Sequence, residues 1–248
     1  MQAEVFNLID QKLKKYFELL EKICNIESNS ADFEGVRAVN NALCDYAQGL
    51  GFAVRKQEYA GAGATAVISM NEDSDQKPLM FSGHMDTVSF GNEEDWTDSP
   101  LSGKVKDGKL YGRGSYDMKG GLAAAAMAVK CLKDLEVPVA GPVYVETVID
   151  EEYGGAMGTL AGRIHGPNPD MAVIPEPTNL TMYPAHLGGC TFRARFSGVS
   201  GISFAGETFV NALEGAARFV AIMKDYKEYR NKNITVPEWW DKDWELDC

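Results

Sequence analysis

Four residues of this chain are of the types that bind divalent metal ions: His84, Asp117, Glu152 and Glu176. Each lies in a segment typical of the end of a buried strand, and each is flanked by small, turn-forming residues. Zinc accepts imidazole nitrogen and carboxylate oxygen ligands at about 2.0–2.2 Å, and a carboxylate can bridge two ions. The four residues could therefore hold two metal ions side by side.

Two further acids lie next to these residues, because Glu151 directly precedes Glu152 and Asp86 follows His84 by two positions. A carboxylate beside a metal-activated water can act as a general base. A carboxylate near a metal-binding histidine can fix its tautomer, and Asp86 points the same way as His84 if the strand continues. The consecutive acids at 150–152 repel one another, and two zinc ions would supply the compensating charge.

Each motif also has a simpler interpretation when it is taken alone. His84 and Asp86 could be a hydrogen-bonded pair at a strand end, and Asp117 could be the N-cap of a helix. The acids at 150–152 could form a solvated loop. Glu176 lies between two prolines, which stiffen the backbone, and could belong to an exposed loop. The four segments together favour a metal site.

Hydrophobic periodicity predicts alternating helices and strands. The predicted helices cover residues 4–26, 32–49, 118–135, 155–164 and 207–229. The predicted strands cover residues 52–59, 64–70, 79–81, 143–149, 171–174, 181–187 and 190–197, with a hairpin over 101–111. This order indicates an α/β fold, with a mixed, largely parallel sheet and flanking helices. Ligands bind at the carboxyl ends of strands in such sheets, where the candidate residues fall.

The pattern changes near residue 181, so we expect two domains. Residues 1–180 would form the N-terminal portion of a catalytic metal-binding domain, and residues 181–248 an incomplete α+β domain. The net charge of −12 argues against a nucleic-acid partner, and no apolar stretch approaches the ~20 residues of a membrane span. The five cysteines form no CxxC pair, and the N-terminus is no signal peptide, which predicts a cytoplasmic location.

Several stretches of the chain resemble the M20 metallopeptidases, which include acetylornithine deacetylase, succinyl-diaminopimelate desuccinylase, aminoacylase and glutamate carboxypeptidase. The matching stretches are GHMDTV, Trp96–Pro100, DGKLYGRGSYDMKGG, VIDEEYGG and PEPT, in the family's order and spacing. The resemblance is specific over residues 80–178 and weaker from the N-terminus to about residue 220. It implies a zinc exopeptidase-like catalytic domain followed by part of a lid domain.

The resemblance also implies a role for each metal ligand. Asp117 would bridge two zinc ions, for which Co²⁺ or Mn²⁺ could substitute. His84 and Glu176 would complete the shell of one ion, and Glu152 would bind the other. A glutamate at position 176 is similar to the deacylases and carboxypeptidases of the family, whereas the aminopeptidases have an aspartate there.

Two acids would complete the catalytic apparatus in the resembling family. Asp86 would orient the imidazole of His84, and Glu151 would deprotonate the bridging water and later protonate the leaving amine. The implied function is zinc-dependent hydrolysis of amide bonds in N-acyl amino acids or small peptides. The implied assembly is a homodimer formed through the lid domain.

Two departures from the family pattern support an alternative. Family members are longer, so we expect a C-terminally truncated chain that lacks the final histidine ligand of the ion at Glu152. His165 and His186 do not match that ligand, and Ile202 occupies the position of the lid histidine that stabilises the oxyanion. The alternative is an inactive truncated homologue that binds metal or ligand without turnover. A weaker alternative is a chain that pairs with a separate C-terminal fragment.

Overall fold

The computed structural model describes residues 2–58, 64–186, 188–189, 192–202, 205 and 208–235. The chain divides into two compact units, Met1–Gly188 and Gly189–Cys248. All six candidate site residues belong to the first unit. None of the described helices is both long enough and apolar enough to cross a membrane.

The first unit contains the predicted succession of helices and strands. Its helices are α1 (Gln2–Cys24), α2 (Phe33–Gly49), α3 (Lys119–Asp134) and α4 (Ala161–His165). Its strands are β1 (Ala53–Glu58), β2 (Ala64–Met70), β3 (Leu79–His84), β4 (Lys104–Lys106), β5 (Lys109–Tyr111), β6 (Val143–Val148) and β7 (Met171–Val173). The α/β class predicted from the sequence is therefore confirmed.

Five strands form a mixed sheet in the order β1-β2-β6-β3-β7. β3 lies between β6 and β7 and is parallel to both, whereas β2 is antiparallel to β1 and to β6. His84 pairs with Val148 at the end of the β3–β6 ladder, and the backbone N–H of Met85 donates to the carbonyl of Val148 at 2.9 Å. Because parallel strands end at the same edge, this register brings the segments after His84 and after Val148 together.

The hydrophobic core lies between the sheet and the first three helices. Its fully buried members include Ile23 of α1, Leu43 of α2, Leu122 of α3 and Val145 of β6. All six residues of β6 are buried, as expected of a central strand covered on its faces. A packed core around β3 and β6 holds the strand ends that carry the candidate site.

The small hairpin β4–β5 forms where the sequence predicts it. Asp107 and Gly108 connect the two strands with φ angles of 52° and 73°. A two-residue turn with positive φ at both central positions is the type that matches the twist of a hairpin, and Asp-Gly is a favoured sequence for it.

Two predicted regions differ from the structure. The helix predicted at 155–164 is a π-helical turn, Ala156–Leu160, followed by the short α4. The described residues of 181–186 and 192–197 form no strand, although residues 187, 190 and 191 lie outside the described part. Alternation in residues 192–196 favours strand locally, but a strand also needs a hydrogen-bonded partner with an apolar face to pack on. The second unit instead contains α5 (Ala212–Asn233), capped by the side chain of Asn211.

Candidate metal centre

His84 lies at the end of β3 with only 1% of its side chain exposed. Its Nδ1 is 2.8 Å from the carbonyl oxygen of Asp86 and 3.7 Å from the Oδ1 of the same residue. Because a carbonyl oxygen can only accept, Nδ1 carries the proton in this hydrogen bond. Since Nδ1 is engaged in this bond, Nε2 is the nitrogen left to coordinate a metal ion, and it would do so after releasing its own proton.

Three carboxylates surround the Nε2 of His84. Its distance is 3.2 Å to Asp117 Oδ1, 3.4 Å to Glu176 Oε1 and 3.7 Å to Glu151 Oε2. Ligand atoms of a tetrahedral zinc ion are about 3.3–3.4 Å apart when each lies about 2.0–2.1 Å from the metal. The separations of Asp117 and Glu176 from Nε2 match this spacing, so the residues fit a divalent ion.

The candidate ligands form two overlapping groups among the described residues. One group is His84, Asp117 and Glu152, and the other is His84, Glu151 and Glu176, with the ligand atoms of each group within 4.8 Å of one another. A single Nε2 can coordinate only one ion. Among the described residues, the ligands of a second ion beside the first would therefore be carboxylates.

Asp117 is carried by a glycine-rich turn between β5 and α3. Gly114 has a φ of 79°, and a Cβ at this position would lie 2.7 Å from the Thr87 Cγ2. The N–H of Lys119 donates to the carbonyl of Gly114 at 3.0 Å, which closes the turn. The Asp117–Met118 peptide bond is cis. Met118 rather than Asp117 occupies the N-cap position of α3, so the simpler capping interpretation of Asp117 is wrong.

Glu151 and Glu152 lie in a tight loop that follows β6. Asp150 starts this loop in the left-handed conformation, with a φ of 66°. Its Oδ2 accepts from the N–H of Met157 at 3.0 Å, and its carbonyl accepts from the N–H of Gly155 at 2.6 Å. Asp150 thus folds the loop back on itself and leaves the side chain of Glu151 48% exposed.

The buried carboxylate of Asp86 links this loop to the end of β3. Its Oδ1 accepts from the backbone N–H of Glu151 and its Oδ2 from that of Glu152, each at 3.3 Å. Asp86 is completely buried. It therefore orients the backbone that carries the two glutamates, in addition to its carbonyl contact with His84.

Glu176 reaches the centre because its segment packs closely against α3. A Cβ on Gly121 would lie 1.9 Å from the carbonyl oxygen of Pro175, so only glycine permits this approach. Glu176 is 31% exposed at the resulting position. The close contact explains the second glycine of the DMKGG stretch in terms of ligand placement.

The electrostatics reflect a cluster of acids around one imidazole. Burial alone would lower the pKa of His84, but the hydrogen bond to Glu176 and the charges of Asp86 and Glu176 raise it to about 9. Burial raises the pKa of Glu151 and of Glu152, the positive charge of His84 opposes this, and the neighbouring carboxylates add to it. A cation at the centre would relieve this mutual repulsion.

Two polar residues near the centre are absent from the sequence prediction. The hydroxyl of Ser30 donates to Asp86 Oδ2 at 2.6 Å. The buried Lys119 Nζ donates to the carbonyls of Ile23 and Ile26, each at 3.0 Å. Nothing local to residues 28–30 indicates the contact of Ser30 with Asp86, because the two residues are 56 positions apart in the chain.

Solved structures share the fold of this chain. Human carnosine dipeptidase 1 aligns over 70% of this chain and 41% of its own, with a TM-score of 0.60 and 23% identity. The M20 family metallo-carboxypeptidase Sso-CP2 from Sulfolobus solfataricus aligns over 66% of this chain and 37% of its own, with a TM-score of 0.52 and 21% identity. These likenesses confirm the α/β architecture.

Sequence comparison establishes the family. Residues 80–234 match the sequence model of Peptidase family M20/M25/M40. Acetylornithine deacetylase from Proteus mirabilis (strain HI4320) is 32% identical over 236 residues, which cover 91% of this chain. The chain spans about 60% of the length of that relative. On these grounds the chain belongs to peptidase family M20/M25/M40.

Proposed function

We propose that this chain carries the metal centre of a zinc-dependent hydrolase of amide bonds in N-acyl amino acids or small peptides. The observation that carries this proposal is the pair of distances from the Nε2 of His84 to the carboxylate oxygens of Asp117 and Glu176. Both distances match the separation between two ligand atoms of a tetrahedral zinc ion. The relative named acetylornithine deacetylase and the neighbour named carnosine dipeptidase support this substrate class. The metal centre falls in residues 1–180, which we assign as the catalytic domain.

Each ligand has a proposed position at the two ions. Asp117 would contribute to both ions, since its carboxylate lies beside His84 and shares a ligand group with Glu152. His84 and Glu176 would hold the first ion, and Glu152 would hold the second. Zinc suits this mixture of imidazole and carboxylate, and Co²⁺ or Mn²⁺ would be accepted by the same donors.

Glu151 is the proposed general base. A bound zinc ion supplies Lewis-acid chemistry, which polarises the substrate carbonyl and makes water a better nucleophile. The carboxylate of Glu151 takes a proton from the water, whose oxygen attacks the carbonyl carbon. When the C–N bond breaks, Glu151 returns that proton to the leaving nitrogen. In the metal-free centre, burial and the neighbouring acids raise the pKa of Glu151 against the opposing charge of His84, so this carboxylate takes up a proton more readily than a free glutamate does.

The test combines metal content and turnover on the purified 248-residue chain. Elemental mass spectrometry gives zinc per chain, and a panel of N-acyl amino acids and dipeptides reports hydrolysis. Glu151→Gln should lower kcat by about 10²–10⁴-fold without loss of zinc, because a general base contributes that much. Glu94→Gln, at an exposed acid outside the centre, is the matched control and should retain full activity. Loss of zinc in Glu151→Gln would make Glu151 a ligand and contradict its role as base.

A second candidate function is metal binding without turnover. It is favoured by the single imidazole that serves both ligand groups in the described residues. Zinc binding with no hydrolysis across the panel would support this second function. A wild-type chain that binds no zinc would overturn both.

We also propose that the protein is a cytoplasmic homodimer in which residues 181–248 are part of the lid and dimerisation domain. Exposed apolar side chains on α5, namely Leu213, Val220 and Ile222, support an interface there. The net charge of −12 supports a small-molecule substrate rather than a nucleic acid. Analytical ultracentrifugation tests the assembly, and a monomer at all concentrations would contradict it.

A further inference from the structure

We propose that Ser30 is a positioning residue of the metal centre, because its hydroxyl fixes the buried carboxylate that organises both His84 and the Glu151–Glu152 loop. This inference rests on the metal site of the proposed function. Ser30 lies in the loop between α1 and α2, which contributes none of the candidate ligands.

The contact involves two side chains that water does not reach. Asp86 is 0% exposed and Ser30 is 6% exposed. The Asp86 Oδ2 accepts from the Ser30 hydroxyl at 2.6 Å and from the N–H of Glu152 at 3.3 Å, while Oδ1 accepts from the N–H of Glu151 at 3.3 Å. The bond from Ser30 is the shortest of these three. This bond therefore fixes the orientation of the Asp86 carboxylate, and the N–H groups of Glu151 and Glu152 align to that orientation.

The loop that carries Ser30 is itself fixed to two ligand-bearing segments. The N–H of Ser30 donates to the carbonyl of Thr87 at 3.1 Å, and the N–H of Thr87 donates to the carbonyl of Ser28 at 2.9 Å. On its other side, the buried Lys119 donates to the carbonyl of Ile26 at 3.0 Å. Residues 25–31 thus connect the segment after His84 with the segment after Asp117, and Ser30 has little freedom to move.

Removal of the hydroxyl has a specific consequence. The Asp86 Oδ2 would lose its strongest donor in a site that excludes water, and the carboxylate could rotate away from the N–H groups of Glu151 and Glu152. Glu152 would then sample positions outside metal-binding distance, and Glu151 would lose its fixed position beside the centre. Loss of an outer hydrogen-bond partner typically lowers metal affinity by about 10–100-fold. We expect a loss of that size in Ser30→Ala.

The matched control lies two residues away. Ser28 is in the same loop and 1% exposed, and its hydroxyl donates at 2.8 Å to the backbone carbonyl of Met85 rather than to a carboxylate. Ser28→Ala removes the same atom from an equally buried site. If Ser30 has only a structural role, the two variants should lose similar amounts of zinc affinity. If Ser30 positions Asp86, only Ser30→Ala should lose zinc affinity.

The measurement is zinc affinity of the 248-residue chain by competition with a chromogenic chelator. Ser30→Ala should bind zinc about 10–100-fold more weakly, and Ser28→Ala should stay within about threefold of the wild type. Ser30→Thr keeps the hydroxyl and should restore affinity. Ser30→Cys replaces the hydroxyl by a larger and weaker donor, so its zinc affinity should be intermediate, and this variant serves if the alanine variant does not fold.

The outcomes separate the inference from the function on which it rests. Wild-type affinity in Ser30→Ala would overturn the positioning role while leaving the metal site intact. Equal losses in Ser28→Ala and Ser30→Ala would also overturn it, because the effect would then be general destabilisation. A wild-type chain without zinc affinity would overturn the proposed function itself.

Discussion

The end of β3 and the loops around it supply the metal centre in different ways. At the end of the strand, His84 and the following Asp86 are 1% and 0% exposed, and their polar atoms are held by hydrogen bonds. On the loops, the side chains of Asp117, Glu151 and Glu176 are 53%, 48% and 31% exposed. The strand gives a fixed imidazole, and the loops present carboxylates that solvent, ions and substrate can reach.

The loop carboxylates are placed by close approaches between segments, and each approach occurs at a glycine. Gly114 lies against the side chain of Thr87, Gly121 of α3 against Pro175, and Gly158 of the π-helical turn against the carbonyl of Ile149, which lies 1.9 Å from a Cβ added there. Ligand placement is thus specified by core packing at the end of the strand and by glycines that leave room for the segments carrying the loops. Substitutions at the end of the strand test placement by core packing, and substitutions at the glycines test placement by close approach.

The largest expected effect is the loss of both ions when the bridging ligand is removed. Asp117→Ala should reduce the zinc content per chain to near zero, because each of the two proposed ions would lose a carboxylate ligand. Elemental mass spectrometry measures this directly. Tyr116→Phe changes an exposed neighbour and should retain full zinc. Full zinc content in Asp117→Ala would contradict the bridging role.

The next largest effect concerns the stability of the fold next to the loop that follows β6. The buried Glu146 of β6 accepts from Arg163 of α4 and from the hydroxyl of Ser82. Arg163→Met leaves this buried carboxylate without its cation, which should lower the free energy of unfolding by about 3–5 kcal/mol. Urea denaturation measures the change.

An exposed ion pair provides the control for this prediction. Arg55 and Glu72 lie at the surface with side chains 50% and 40% exposed. Arg55→Met should therefore cost less than about 1 kcal/mol. Adding Glu146→Gln to Arg163→Met should recover part of the lost stability, because the unpaired charge is removed. Equal effects of Arg55→Met and Arg163→Met would show that the buried pair has no special role.

A methyl group at position 121 should disturb the loops without affecting the strand. Gly121→Ala pushes against the carbonyl of Pro175 and moves Glu176, so zinc affinity should fall by about 10–100-fold. Gly49→Ala places a methyl group where nothing lies within 4 Å and should leave zinc affinity unchanged. Chelator competition compares the two variants. Unchanged affinity in Gly121→Ala would mean that the Pro175 segment shifts without carrying the ligand away.

The smallest expected effect concerns the pH dependence of the metal-free protein. In the absence of a cation, the charges around His84 raise its pKa from 6.5 to about 9. A folded-state pKa above the unfolded value stabilises the fold fully below pH 6.5, and this contribution is lost as pH rises through about 9. Chelator-treated wild type should lose stability over this window, whereas His84→Gln should not. His165→Gln should behave as wild type, and a flat wild-type profile would contradict the interaction.

Much of the fold and the candidate ligands follow from local sequence. The apolar run of β6, the Asp-Gly turn of the hairpin and the periodicity of the first two helices each predict the element that the structure contains. His84 and Glu152 follow largely buried strands, as predicted. The same expectation is wrong for Asp117 and Glu176, because Asp117 lies in the turn between the exposed β5 and α3, and Glu176 follows the exposed β7. Within the described residues 181–186 and 192–197, the predicted strands do not form, because alternation specifies a face while pairing depends on a partner elsewhere in the chain.

The sequence by itself determined which residue types could bind metal and that the ends of parallel strands would bring them together. Only the tertiary structure decided which atoms meet: the carbonyl rather than the carboxylate of Asp86 at 2.8 Å from His84, and the hydroxyl of Ser30 on that carboxylate. The physical reason is that periodicity and turn preference act over a few residues. Contacts such as Ser30–Asp86 or Gly121–Pro175 depend instead on the packing of segments more than 50 positions apart.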